Sequence, residues 1–199
     1  MKYKTRSGGR PNEKRRVYFS CHQDDFDRSF LKIAEDILRT HDVAVYYVDH
    51  DDPDDKPATD MELEQMNLFV IAVSFKFLCE PDSPSHQDLS FAKDHKIPIL
   101  PIMLESGANR NDTLYSLYKM YFGTLEYLSP YSNDAERVSY EERLKKYLET
   151  VLVSDELGQQ VREAFDAYVF LSYRKKDRHF ANSLIRLIHD NPMCRDIAI

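Results

Sequence analysis

The chain states one pattern twice, and that repetition limits what it can fold into. Val17-Tyr18-Phe19-Ser20-Cys21 is an apolar run that ends in small residues. A polar turn, His22-Gln23-Asp24-Asp25, follows it. A helix-period stretch comes next, with Phe26, Phe30, Leu31, Ala34, Ile37 and Leu38 on one face, and it closes on Asp42-Val43-Ala44-Val45. The pattern returns downstream. Val169-Phe170-Leu171-Ser172-Tyr173 matches the first run, and Asp177-Arg178-His179-Phe180 matches Asp27-Arg28-Ser29-Phe30. Leu184, Leu187 and Ile188 fall where Ala34, Ile37 and Leu38 fell. Asp196-Ile197-Ala198-Ile199 repeats Asp42-Val43-Ala44-Val45, and there the sequence ends. An echo in strand, turn, helix and next strand predicts one full domain and the opening of a second, incomplete one.

Between the two copies, short apolar runs alternate with helical periodicity. Strands are predicted at Val17–Cys21, Val43–Val48, Leu68–Val73, Pro98–Met103 and Leu125–Leu128. Leu68-Phe69-Val70-Ile71-Ala72-Val73 is continuously apolar, as a parallel strand covered on both faces must be. Asp24 or Asp25 is expected to cap the first helix and Ser85 the helix that runs to His95, with a loop from Ser74 to Pro84. A short helix is expected from Thr59 or Asp60, with Met61, Leu63 and Met66 inward. Further helices are expected at Leu114–Phe122 and Tyr140–Val153. Strands and helices in alternation imply a three-layer α/β fold. A parallel five-stranded, flavodoxin-like sheet would carry helices on both faces. The expected division is a disordered basic leader (1–15), a domain (16–153), a connecting helix (154–166) and the start of a second domain (167–199).

Charge and cysteine usage narrow the function. The 199 residues carry a formal net charge of -7, which argues against nucleic acid as the main partner. The basic start of the chain has no apolar core behind it, so no secretory signal is expected, and no apolar run approaches the roughly twenty residues that span a bilayer. Cys21, Cys79 and Cys194 form no CxxC pair, which suits a reducing cytoplasm and gives no zinc site. Asp49 to Asp60 is an acidic loop with aspartates where a calcium loop needs glycine and glutamate, so no metal is expected there. In a parallel sheet, ligands bind beyond the carboxyl ends of the strands. Ser20, Cys21 and His22 on one side, with Ser74 and Phe75 on the other, are the candidates to line such a cleft.

Several stretches in order resemble the Toll/interleukin-1 receptor (TIR) domain family, in particular its bacterial members. Tyr18-Phe19-Ser20-Cys21 is similar to the family's first strand, and Val169-Phe170-Leu171-Ser172-Tyr173-Arg174 is closer still. Val73-Ser74 followed by Phe77-Leu78, then Asp88-Leu89-Ser90-Phe91-Ala92, then Ile97-Pro98-Ile99-Leu100-Pro101-Ile102 resemble the family's later motifs. The resemblance covers about Arg16 to Leu128 and again Ala167 to the end. It implies a signalling module that associates with other TIR domains, including the second copy in the same chain, with no nucleic-acid or membrane partner. Many family members also cleave NAD+ as nucleosidases with a glutamate early in the third helix. Asp88 stands at that position, and Pro84 stands where a tryptophan often precedes it. NAD+ would be a substrate, and no cofactor is implied. The alternative expectation is a catalytically degenerate scaffold whose activity resides in the second copy. A receiver-like phosphorylation domain is disfavoured, because Val73-Ser74 occupies the place of its phosphoacceptor aspartate. Glu80 is a second candidate acid off the motif. His86 and His95 are expected at the helix surface, and Cys21 is expected to be a buried, unreactive thiol.

Overall fold

The computed structural model describes residues 1–6, 11, 14–49, 52, 54–106, 112–130, 140–152, 167–168, 178–190 and 197–198. It divides into two compact units, Met1–Leu152 and Val153–Ile199.

The first unit is built on a five-stranded sheet. Its strands are β1 (Lys2–Thr5), β2 (Arg15–Ser20), β3 (Val43–Tyr47), β4 (Leu68–Val73) and β5 (Ile99–Met103), in the spatial order β1-β3-β2-β4-β5. The contacts β3-β2, β2-β4 and β4-β5 are all parallel. This is the α/β, mostly parallel architecture that the alternating pattern implies. All six residues of β4 are buried, which is why its sequence has no polar phase. The sheet's two faces separate by residue parity, as the pleat requires. Val17, Phe19, Val45, Val70 and Ile102 join one core with α1 (Phe26–Thr40) and the helical segment 140–152, designated α6. Tyr18, Tyr46, Phe69, Ile71 and Val73 join the other with α2 (Asp60–Leu63), α3 (Phe75–Cys79), α4 (Pro84–Asp94) and α5 (Asp112–Phe122). Leu144 and Leu148 on α6 are fully buried, and each contributes about 1.5–3 kcal/mol by leaving water.

Several local expectations are corrected. The basic stretch expected as a disordered leader supplies β1, which runs antiparallel along β3 from Lys2 opposite Tyr47 to Thr5 opposite Ala44. Lys2 reaches Asp49 and Asp52 at 2.7 Å each, so the acidic loop carries its own counter-charge. The fifth strand is therefore β1, on the far edge. The segment expected as a strand at Leu125–Leu128 contributes one parallel bridge, Leu128 to Ile102. Its Leu128 N–H donates to the Pro101 carbonyl and its carbonyl accepts from Met103, which closes the β5 edge at one point. Ser74–Pro84 holds α3, with Ser74 as its cap. The cap of α4 is Ser83, not Ser85, and Pro84 takes the first helical position, where a missing N–H costs nothing. Neither Asp24 nor Asp25 caps α1 through its side chain. Leu31 and Met61, assigned to apolar faces by spacing, are exposed, while Ile33 is buried. The short helix α2 does begin after Thr59, whose side chain and that of Glu62 cap each other's backbone.

The second unit holds β6 (Ala167–Tyr168), α7 (Arg178–Asp190) and β7 (Ile197–Ala198). The two strands pair in parallel, Ala167 with Ile197 and Tyr168 with Ala198. In the first unit, Arg15 pairs with Val43 and Arg16 with Ala44. The sequence echo places Ala167 on Arg15 and Ile197 on Val43, so the two units share one strand register. The expected connecting helix (154–166) and the Val169–Tyr173 run lie outside the described residues.

At the end of α4, the Ile97 N–H donates to the Ala92 carbonyl (2.9 Å) and the Lys96 N–H to the Lys93 carbonyl (3.1 Å). This is a Schellman closure, yet its left-handed residue is Lys96, at φ 55, where glycine normally sits. A side chain there costs about 1–2 kcal/mol, and glycine's extra unfolded freedom offsets part of that. Lys96→Gly is expected to stabilise the protein by about 0.5–1 kcal/mol and to raise its Tm by about 2–4 °C. A calorimetric scan checks this, and an unchanged or lower Tm contradicts it.

Candidate functional site

The chain leaves β2 to reach β3 on one side and later enters β4 on the other side of β2. The crevice between the carboxyl ends of β2 and β4 is thus the switch point of the sheet, where ligands bind in folds of this class. Two polar clusters occupy it.

The first cluster gathers around Asp88. Alternation along β2 turns Tyr18 and Ser20 toward the face that α4 covers. Asp88 lies in the second turn of α4, beyond the reach of a capping role, and is partly buried against β2. Its Oδ2 accepts hydrogen bonds from Ser20 Oγ at 2.6 Å and from Tyr18 Oη at 3.3 Å. Burial raises the Asp88 pKa from 3.8 to about 6, even though both hydrogen bonds favour the charged form. Burial, then the neighbouring Asp88 charge, likewise pushes the Tyr18 hydroxyl well above its ordinary range. Asp88 is therefore a carboxyl that can exchange a proton close to neutrality.

The second cluster ties the β2–α1 turn to α3. Asp25 is buried, and its Oδ2 accepts from Ser74 Oγ while its Oδ1 accepts from Arg28 Nε at 2.7 Å. Ser74 Oγ also accepts from the Phe77 N–H at 3.0 Å. Arg28 continues to Glu105 at 3.2 Å, and the same Glu105 oxygen accepts from the Phe75 N–H at 3.1 Å. Glu105 thereby places a negative charge at the start of α3. Lys76 reaches Asp24 at 2.6 Å. His22 is buried; its Nδ1 accepts from the Asp24 N–H at 3.3 Å, and its Nε2 lies 3.0 Å from Glu80. Because Nδ1 accepts, the neutral ring carries its proton on Nε2 and donates it to Glu80. Four side-chain links therefore cross the crevice between the β2–α1 turn and α3: His22–Glu80, Lys76–Asp24, Ser74–Asp25 and Arg28–Glu105.

The structure places Asp88 with Ser20, and Ser74 and His22 in the second cluster. Cys21 points to the opposite core, bonded to Ser29, and burial pushes its thiol up to about 12, which leaves it unreactive. Phe75 is 56% exposed at the tip of α3, away from any enclosed pocket wall. His86 is buried, unlike the surface position expected; it bonds the Phe77 carbonyl at 2.6 Å and stacks on the Phe77 ring. His95 is exposed, as expected. Sequence reasoning missed Tyr18, Arg28 and Glu105. Tyr18 was accessible from the alternation in β2, since it shares parity with Ser20. Arg28 and Glu105 meet across 77 positions and left no local signal. Among the described residues, no group of three or more histidine, cysteine, aspartate or glutamate side chains could hold a metal ion, and no helix is long and apolar enough to cross a membrane.

No protein-family model matches the sequence, and no curated protein matches it. Among solved structures, the TIR domains of the activated Roq1 resistosome that recognises the pathogen effector XopQ are 12% identical, covering 75% of this chain and 98% of that one at a TM-score of 0.34. A fungal multi-domain GH3 β-N-acetylglucosaminidase with a GCN5-related glucosamine N-acetyltransferase region is 11% identical, covering 76% of this chain and 16% of that one at a TM-score of 0.32. Scores this low do not discriminate between the two neighbours.

The raised Asp88 pKa has a signed consequence. Between about pH 4 and 6 the folded chain holds the Asp88 proton more tightly than the unfolded chain, so this group's contribution to stability falls as pH rises through that window. Asp88→Asn is expected to be more stable than the parent by about 1–3 kcal/mol at pH 7–8, with the gap closing below pH 4. Urea unfolding across this range tests it; a pH-independent difference would sink the assignment.

Proposed function

We propose that the chain is a TIR-type module that acts by associating with other TIR domains, and that its second unit carries the opening strand–helix–strand of a second copy. The observation that carries this reading is the shared register: β6 and β7 pair as β2 and β3 do, residue for residue in the sequence echo. The ordered TIR-like stretches and the placement of β2, β4 and α4 support the family assignment. Two linked modules raise the effective concentration for assembly, which is what tandem copies contribute to an association-driven signal. The acidic balance and cysteine usage suit a cytoplasmic protein whose partners are proteins, not nucleic acid or membrane.

A second reading, NAD+ cleavage, is favoured by Asp88 alone. It is a carboxyl of near-neutral pKa at the switch point, where a negative charge could stabilise an oxocarbenium-like ribose. Against it stand the two hydrogen bonds already on its Oδ2 and the side-chain links that span the crevice. On balance these favour an assembly module that leaves catalysis, where there is any, to the second copy.

Light scattering over a wide concentration range is expected to show a mass that rises above that of one chain; a constant monomer mass contradicts the association reading. Nicotinamide release from NAD+ distinguishes the second reading. Release that falls on the order of a hundredfold in Asp88→Ala would make Asp88 catalytic, and no release from the parent protein removes that reading.

A further inference from the structure

The most exposed apolar face among the described residues lies on α7. Phe180 is 75%, Leu184 45% and Leu187 69% exposed, and with the half-buried Ile188 they recur at i, i+4, i+7 and i+8. That spacing makes one continuous stripe. The corresponding residues of α1, Phe30, Ala34, Ile37 and Leu38, are all buried in the first unit. There the stripe packs in one core with β2, β3 and the leucines of α6. The α7 stripe is therefore core-type surface presented to solvent, and patches of that kind mark interaction sites.

Its occupant can be read from its symmetry. If two α7 helices pack antiparallel about a two-fold axis at Leu184, Leu184 meets its own copy and Phe180 meets Ile188 of the second copy. The same axis sets Arg178, the first helical residue, opposite Asp190, the last. Apolar positions thus fall on apolar positions and a basic end falls on an acidic end, while the two helix dipoles oppose. A self-complementary patch of this kind generates a closed pair, not an open chain of subunits. We infer that the Phe180–Leu184–Leu187 face of α7 is a homodimerisation surface that takes α7 of a second copy in antiparallel register. The inference rests on the reading of the chain as an association module and names the surface that performs the association.

Sedimentation of the full chain tests it beside a Phe180→Ser/Leu187→Ser variant. These side chains are exposed, so the variant keeps its fold, which circular dichroism verifies. Dimer in the parent and a dissociation constant on the order of a hundredfold or more higher in the variant is the expected result. Arg178→Asp and Asp190→Arg are each expected to weaken the dimer, and the two together to restore it. Dimers of equal affinity in parent and variant would overturn this inference while leaving association through another surface intact. A parent that stays monomeric overturns both. A double reversal that fails to restore pairing overturns the antiparallel register and the proposal with it.

Discussion

Burial of β4 on both faces is the constraint on which the first unit depends. Six consecutive apolar residues cannot sit at an edge or face water on one side without exposing a large hydrophobic surface. Satisfying them requires a strand on each side and a helical layer above and below. β2 and β5 supply the neighbours. The helices that link parallel strands must then cross over the sheet, so the strands of the parallel set end on one common side. Ser20 and Ser74 are brought to the same crevice by this requirement, although more than fifty positions separate them in sequence.

What fills that crevice is polar, and its energetics differ between the two clusters. Around Asp25 every named charge or hydroxyl meets a partner of opposite role, so desolvation is offset by hydrogen bonds. Asp88 receives two hydroxyl donors but no cation among its printed partners. Its charged form is left under-compensated, and the proton is held more tightly. One cluster therefore fastens the turn to α3, while the other stores a titratable group.

The sheet was legible in the sequence because its strands are written as apolar runs with turns between them. The edges were not. Lys2-Tyr3-Lys4-Thr5 has the charge of a solvated tail, and its extended form comes from the free edge of β3 together with Asp49 and Asp52, which the local sequence does not show. Leu125–Leu128 has the right composition for a strand but gains only one bridge, beside a β5 whose Pro101 has no N–H to donate. In the site, Asp88 was found from its place among ordered motifs. The Asp25–Arg28–Glu105 chain was not, because it is assembled from three segments whose residues each have an ordinary solvent-facing reading.

The shared strand register hides a difference in length. Seven positions separate Ser20 from Asp27 in the first copy, but five separate Ser172 from Asp177 in the second. The missing positions fall in the turn that holds His22, Asp24 and Asp25 in the first copy. A second copy that keeps the strands and helix in place has therefore no room for the same fastening across its crevice. If duplication made the pair, the two crevices were free to diverge from the start: one drawn shut by its longer turn, the other left with a shorter and more open rim.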